Sequence, residues 1–221
     1  MYSFFDHIWQ QHEVILACEG DCVAAMAALI SCRICHADGT MQDALYLYAL
    51  TTLPACRGHG YAQRLLAAAC ARCERVFLHA ADESLQRWYT RLGWQDAMHA
   101  RRIALPAGDT LPPQVNGSAY HHLRERLLVG QTHIVWDENL CTFADIIFRQ
   151  EGGGLYANER CALSVQGVQN GQYLLGEALG SVALSNALAL SPCAATTPCA
   201  FSLAQTIGKF PAPLHMGFDF A

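Results

Sequence analysis

An α/β fold is predicted for the first half of this sequence: a mixed sheet flanked by helices over residues 1–105, a linker at 106–118, and a smaller α+β domain at 119–221. Three observations point there. Strand, loop, helix, strand and helix signals follow one another between Ala44 and Gly93, the close order of a unit with parallel pairing. A glycine-rich turn, Arg57-Gly58-His59-Gly60, joins the first of those strands to its helix. The 221 residues are 52% apolar and 15% charged, so the chain can build a core and is not expected to be disordered.

Taken in order, Phe4 to Gln10 reads as a short helix. Val14–Cys18 and Cys22–Ile30 read as two strands of a hairpin around Glu19-Gly20-Asp21. His36 to Asp43 is a polar loop containing Asp38-Gly39, and Ala44 to Leu53 is a third strand. Pro54 stops that strand because proline cannot donate to a ladder. The next helix runs to about Arg75, with Leu65, Leu66, Ala69 and Cys73 at helical spacing. Val76–His79 is a short strand of the buried type. Ser84 is the expected cap of a helix that ends near Leu92-Gly93.

The composition shifts at Pro106-Ala107-Gly108-Asp109-Thr110-Leu111-Pro112-Pro113, which marks the domain edge. Beyond it come a helix at Ala119–Val129, a strand at His133–Trp136 and a helix starting near Asp137. Cys161–Gln169 and Gln172–Ala178 form a hairpin around Asn170-Gly171. A helix at Val182–Leu190 and strands at Phe201–Gln205 and Leu214–Phe220 complete the reading.

Charge and composition exclude several classes. The net charge is −5, and Lys and Arg are scattered apart from Arg101-Arg102, so no basic field for nucleic acid is expected. No run of about 18 apolar residues predicts a membrane span. The N-terminus lacks a basic and an apolar region, so the reading is cytoplasmic, with the 11 cysteines reduced. Cys32/Cys35 and Cys70/Cys73 could mimic a four-cysteine zinc site, but Cys70 and Cys73 fall on or beside the apolar face of a helix. Core packing is therefore the default and no metal is assigned.

The chemistry centres on the turn after Leu50-Thr51-Thr52-Leu53-Pro54. Glycines at a helix N-terminus expose unpaired amides at the positive end of the helix dipole, where a pyrophosphate fits. Gly58 and Gly60 let the backbone come close or adopt positive φ, and Arg57 can add charge or brace the loop. The spacing is neither that of a Walker loop nor the dinucleotide fingerprint. On the turn alone, a tight strand-to-helix connection that binds nothing is an equal reading.

Leu50 through Ala62 resembles the signature of the GCN5-related N-acetyltransferase (GNAT) superfamily, Arg/Gln-x-x-Gly-x-Gly/Ala, which falls on Arg57, Gly60 and Ala62. Trp88-Tyr89-Thr90-Arg91-Leu92-Gly93-Trp94 resembles the family's Tyr-x-x-x-Gly-Phe motif, with Trp in the last aromatic place, at the family's separation from the first. The resemblance covers roughly residues 1 to 100, and the remainder resembles only in layout the accessory half of two-domain members. It implies transfer of an acetyl group from acetyl-CoA, the acyl donor, to a primary amine on a small molecule or a peptide. It also implies that Leu50 and Thr52, with Thr51 between them, meet the pantetheine arm through their backbone. Arg57 and the amides of Gly58, His59, Gly60, Tyr61 and Ala62 are then expected to hold the pyrophosphate.

The amine must lose a proton, since its ordinary pKa lies near 10, and the departing thiolate needs an acid. The resemblance gives Tyr89 the acid's role; packing beside Trp88 and Trp94 is the alternative. His79, Glu83 and the carboxylate of Ala221 are candidate bases, none singled out. Family members carry a further strand and helices ahead of the hairpin, whereas only Met1 to Glu13 precede it here. Either the second domain or a partner, such as a second copy in a homodimer, is therefore expected to complete the acceptor side, or the chain is a truncated form with a damaged acceptor site. Three other readings stand beside the enzyme: a non-catalytic acyl-CoA-binding regulator, a zinc protein and a dinucleotide-binding enzyme.

Overall fold

The computed structural model describes residues 12–103, 111–169, 172–181, 187–193, 202–211 and 214–217. The expected helix at Phe4–Gln10, most of the linker, the Asn170-Gly171 turn and the chain end at Phe218–Ala221 lie outside them.

The expected hairpin forms as β1 (Glu13–Glu19) and β2 (Cys22–Cys35), and β3 (Met41–Thr52) pairs antiparallel along β2. A 3-10 turn at Pro54–Cys56 leads to α1 (Tyr61–Cys70) and then to β4 (Val76–Leu78). The helix α1 stops before the expected Arg75 because Arg75 is already part of the sheet, its carbonyl accepting from the Leu45 amide at 2.9 Å. Next come α2 (Glu83–Arg91) and a strand the sequence did not signal, β5 (Gln95–Ile103), whose residues are mostly polar. In the second half, α3 (Gly117–Leu127), β6 (His133–Val135) and α4 (Glu138–Gln150) fall where expected. They are followed by β7 (Gly154–Asn158), β8 (Cys161–Gln169), β9 (Gln172–Gly180), β10 (Ala187–Cys193) and β11 (Ser202–Ile207).

Two expectations are corrected. The helix read over Val182–Leu190 is strand β10 from Ala187 onward, parallel to β9 and antiparallel to β5. Its Ala-Leu-Ala-Leu run is apolar at every position, so periodicity could not separate a helix from a doubly flanked strand. The strand read at Leu214–Phe220 is, over its described part, only a bridge of His215 with His133.

The strands form one eleven-stranded sheet in the order β1-β2-β3-β4-β11-β5-β10-β9-β8-β7, with β6 beside β2. The pairing of β3 with β4 is parallel, as the strand–helix–strand order predicts. The last strand, β11, returns from the second half to lie between β4 and β5, antiparallel to both. One face of the first strands carries a core of Leu29, Leu47, Leu65, Leu66, Val76, Leu78 and Tyr89 beneath α1 and α2. The other face joins Ile30, Tyr46 and Phe77 to Trp136, Tyr120 and Phe143 of the second half. Gly117 allows a close approach of α3 to α4, since a Cβ there would strike the Thr142 backbone.

A buried ionic cluster fastens the tail to this core. Glu177 accepts from Tyr120 Oη at 2.8 Å and from Arg124 Nε at 3.0 Å, and its Oε1 lies 2.6 Å from His215 Nε2. Arg124 also donates to the Ile134 carbonyl at 2.9 Å and the Met216 carbonyl at 3.3 Å, and the Trp136 indole donates to Met216 at 2.8 Å. These side-chain bonds act together with two backbone bonds, from the Ile134 amide to the His215 carbonyl and from the His215 amide to the Thr132 carbonyl, both 2.9 Å, to hold residues 214–217.

Nine cysteines, among them Cys32, Cys70, Cys73 and Cys141, are free thiols. Cys32 donates to the Ala44 carbonyl and Cys73 to that of Asp43, and Cys70 and Cys73 pack against the core under α1. Among the described residues no group of three or more His, Cys, Asp or Glu is placed to hold a metal, and no helix is long and apolar enough to cross a membrane.

Burial opposes ionisation of Glu177, but the charge of Arg124 and the bonds from His215 and Arg124 outweigh it and hold the carboxyl at about 2. The unfolded chain, with an ordinary value near 4.3, therefore takes up this proton first. The stabilisation is complete above about pH 4.3 and is lost as the pH falls toward 2. Glu177→Gln is expected to cost about 3 kcal/mol at neutral pH in urea unfolding, because it leaves the buried Arg124 with only the half-buried Glu125, 2.8 Å away, as counter-charge. It should also flatten that part of the acid-unfolding curve.

Candidate functional site

The ladder between β3 and β4 is short: Leu45 faces Val76 and Tyr46 faces Phe77. Beyond Tyr46, β3 keeps its β2 partner while β4 ends at Leu78, so the two strands part toward the C-terminal end of β3. There β3 also bulges. Ala28 pairs with Tyr48 and Met26 with Thr51, so Ala49 and Leu50 together oppose one residue. Ala49 sits at φ 53, a left-handed conformation rare for a residue with a side chain. The bulge breaks the simple alternation expected along the strand. Tyr46 and Leu47 are buried on opposite faces, but Ala49 is turned out to solvent.

The loop after β3 is held from both sides. The Leu53 amide donates to Ala24 at 2.9 Å, and Arg57 Nε donates back to the Thr52 carbonyl at 3.4 Å, so Arg57 braces the turn. Gly58 and Gly60 lie at φ 82 and φ 76, and a Cβ on Gly58 would meet nothing within 4 Å. Gly60 is the N-cap of α1 and brings no side chain to its first amides. In α2, α3 and α4, by contrast, Asp82, Asn116 and Asp137 accept from the amide three residues on. The start of α1 thus presents open N–H groups and the positive end of its dipole, an arrangement suited to an anion.

The opposite wall is α2. Its cap is Asp82, not the expected Ser84: the Asp82 carboxylate accepts from the Leu85 amide at 2.9 Å and from the Ser84 hydroxyl at 2.6 Å. These two bonds, the Ser84 one foremost, lower its pKa. Tyr89 is the buried residue of α2, 4.9 Å from the ring of Trp88 and 5.9 Å from that of Trp94. Burial raises its phenol to about 12.

Between these walls lies a groove of about 700 Å³. Leu50, Thr51, Thr52, Arg57, Gly58, Gly60, Tyr61, Ala62 and Tyr89 all line it, so nearly every residue singled out in the sequence meets there. His59 is not among the lining residues; its ring is 6.3 Å from that of Tyr61. Nor are His79, which follows β4, or Glu83, which is exposed and paired with Arg87 at 3.2 Å. Ala221 lies outside the described residues. The sequence reading missed the floor and far wall, Cys56, Gln63, Asp82, Ser84, Leu85 and Trp88. The acidic residue ahead of a short amphipathic helix was the available signal for Asp82.

Residues 10–96 match the family model of the acetyltransferase (GNAT) domain. The match supports membership of that stretch in the GCN5-related N-acetyltransferase superfamily, and the rest of the chain lies outside the match. Its fold is similar to that of a GCN5-related N-acetyltransferase from Kribbella flavida, at 17% identity and TM-score 0.57 over 80% of this chain and 48% of that one. It also resembles a probable N-acyltransferase from Enterococcus faecalis, at 9% identity and TM-score 0.62 over 92% and 62% of the two chains. Eis1 from Mycobacterium abscessus matches at 11% identity and TM-score 0.56, over 76% of this chain and 50% of that one. The chain thus spans about half of the length of two of these structures and 62% of the third. Among curated protein sequences, none matches.

Asp82→Ala is expected to cost about 1 kcal/mol in chemical denaturation, with Ser84→Ala costing less. An equal or larger loss for Ser84→Ala would return the cap to Ser84.

Proposed function

We propose that this protein is an N-acetyltransferase that takes acetyl-CoA into the groove and passes the acetyl group to a primary amine. The observation that carries the reading is the groove itself: it joins the uncapped amides of α1, the bulged end of β3 and the buried phenol of Tyr89.

In this reading the amides of Gly58, Gly60, Tyr61 and Ala62 receive the pyrophosphate, with Arg57 holding the turn in shape and His59 contributing its backbone. The pantetheine arm runs along Leu50, Thr51 and Thr52, where β3 has parted from β4. The bulge leaves a backbone group outside the β2 ladder, close to where the thioester carbonyl arrives. The amine attacks that carbonyl carbon, the carbon–sulfur bond breaks, and the sulfur departs with the electron pair.

A phenol held at about 12 keeps its proton at neutral pH, so Tyr89 is always in the donating form. Ordinary thiols titrate near 8.5, and full proton transfer from such a phenol is uphill by roughly 5 kcal/mol. The role that fits is a hydrogen bond to the developing thiolate, with the sulfur taking its final proton from solvent or from the proton released by the amine. The nine free thiols favour a reducing compartment, the cytoplasm.

Calorimetric titration with acetyl-CoA should show one saturable site in the wild type and none in a folded Gly60→Trp variant, which fills the loop. Tyr89→Phe should bind acetyl-CoA within about twofold of wild type yet release thiol about a hundredfold more slowly with an accepted amine. Binding without thiol release in an amine screen would favour the non-catalytic acyl-CoA-binding regulator. Absence of binding by folded wild type would overturn both readings.

A further inference from the structure

The strand β11 brings a buried amide against α2. Gln205 is in register with Leu78 of β4 on one side and Asp96 of β5 on the other, and is 1% exposed. Its Nε2 donates to the Gln86 carbonyl at 3.1 Å and to Thr90 Oγ1 at 3.0 Å, and the Thr90 hydroxyl in turn donates to the Gln86 carbonyl at 3.0 Å. The amide orientation is fixed by chemistry: turned over, its oxygen would face the Gln86 carbonyl.

The helix it holds is short, and its other ties are the Asp82 cap and the packing of Trp88, Tyr89 and Leu92 on the core. α2 has nine residues, too few for a helix to be stable by itself, and Tyr89 is its buried residue. Gln86 and Thr90 lie on the turn that carries Tyr89. A leucine at 205 could bury its side chain without constraining α2, whereas a buried amide costs free energy unless both donors are met. The position therefore ties the height and rotation of α2 to the sheet within hydrogen-bond tolerance.

We infer that Gln205 is a positioning residue for Tyr89: from the far end of the chain it sets where the phenol stands in the groove. The inference rests on the acyl-transfer reading for its catalytic consequence, though not for the coupling itself. Small displacements of a group that must meet the reacting atoms reduce rate steeply.

The test uses the full chain with Gln205→Leu and Thr90→Val, each alone and combined with Tyr89→Phe. Amide hydrogen exchange over residues 83–91 is followed alongside thiol release from acetyl-CoA with a panel of primary amines. Gln205→Leu should raise exchange in α2 about tenfold while leaving α1 unchanged, and should lower kcat about tenfold. In the Tyr89→Phe background the same substitution should change kcat less than twofold, because the group it positions is gone. Thr90→Val, on an exposed residue, keeps the comparison available if Gln205→Leu does not fold, and should give about a threefold effect of the same kind. Unchanged α2 exchange, or a kcat loss that persists in full without the Tyr89 hydroxyl, would overturn the inference. If wild type releases no thiol with any amine, the acyl-transfer reading fails, and the exchange result still decides whether Gln205 places Tyr89.

Discussion

The stack of Tyr46 on Phe77, ring centroids 5.0 Å apart, closes the last rung that β3 shares with β4. Trp136 meets Tyr46 edge-on at 5.8 Å and lies tilted at 6.2 Å from Phe77, so the clamp is shared with the second half of the chain. Beyond this rung β4 is nearly spent and β3 bulges at Ala49. Everything in the groove depends on that arrangement. Two parallel strands held at one end and free at the other leave a cleft at the carboxyl ends, where the turn into α1 opens its amides. A continuous β3–β4 ladder would fill the same space with backbone hydrogen bonds.

The second half does more than extend the sheet. It supplies Trp136 to the clamp and β11 to the position beside β4, and it fixes the segment after β11 through Glu177, Arg124 and His215. Such a cluster is not a cheap source of stability, because two desolvated charges offset most of what they regain. It adds to the backbone bonds of His215 with Thr132 and Ile134, which set the register of the 214–217 segment, a second tie at Met216, whose carbonyl accepts from both Arg124 and Trp136.

Much of this was legible in the sequence where local chemistry decides the outcome. Gly58 and Gly60 had to be glycines for the loop geometry found, Pro54 did end β3, and Tyr89 did face the groove. What was hidden was decided at a distance. The residues of β5 carry no strand pattern and become a strand because β11 and β10 flank them. The run at Ala187–Leu190 fits helix and strand equally until β9 and β5 enclose it. Ser84 and Asp82 both have capping side chains, and only the geometry shows the carboxylate on the Leu85 amide. The bulge at Ala49 leaves no mark in composition, since alanine is not a residue that announces positive φ.

The most direct test of the account is a crystal structure of the protein grown with coenzyme A. The account predicts pyrophosphate oxygens within hydrogen-bond distance of the amides between Gly58 and Gln63, and the pantetheine arm alongside Leu50–Thr52 in the gap beyond Tyr46. Coenzyme A lodged instead in the second cavity, about 570 Å³ between Glu13, Arg33, Asp43 and Arg72, would contradict it. So would a β3–β4 ladder that continues past Tyr46 and leaves no cleft.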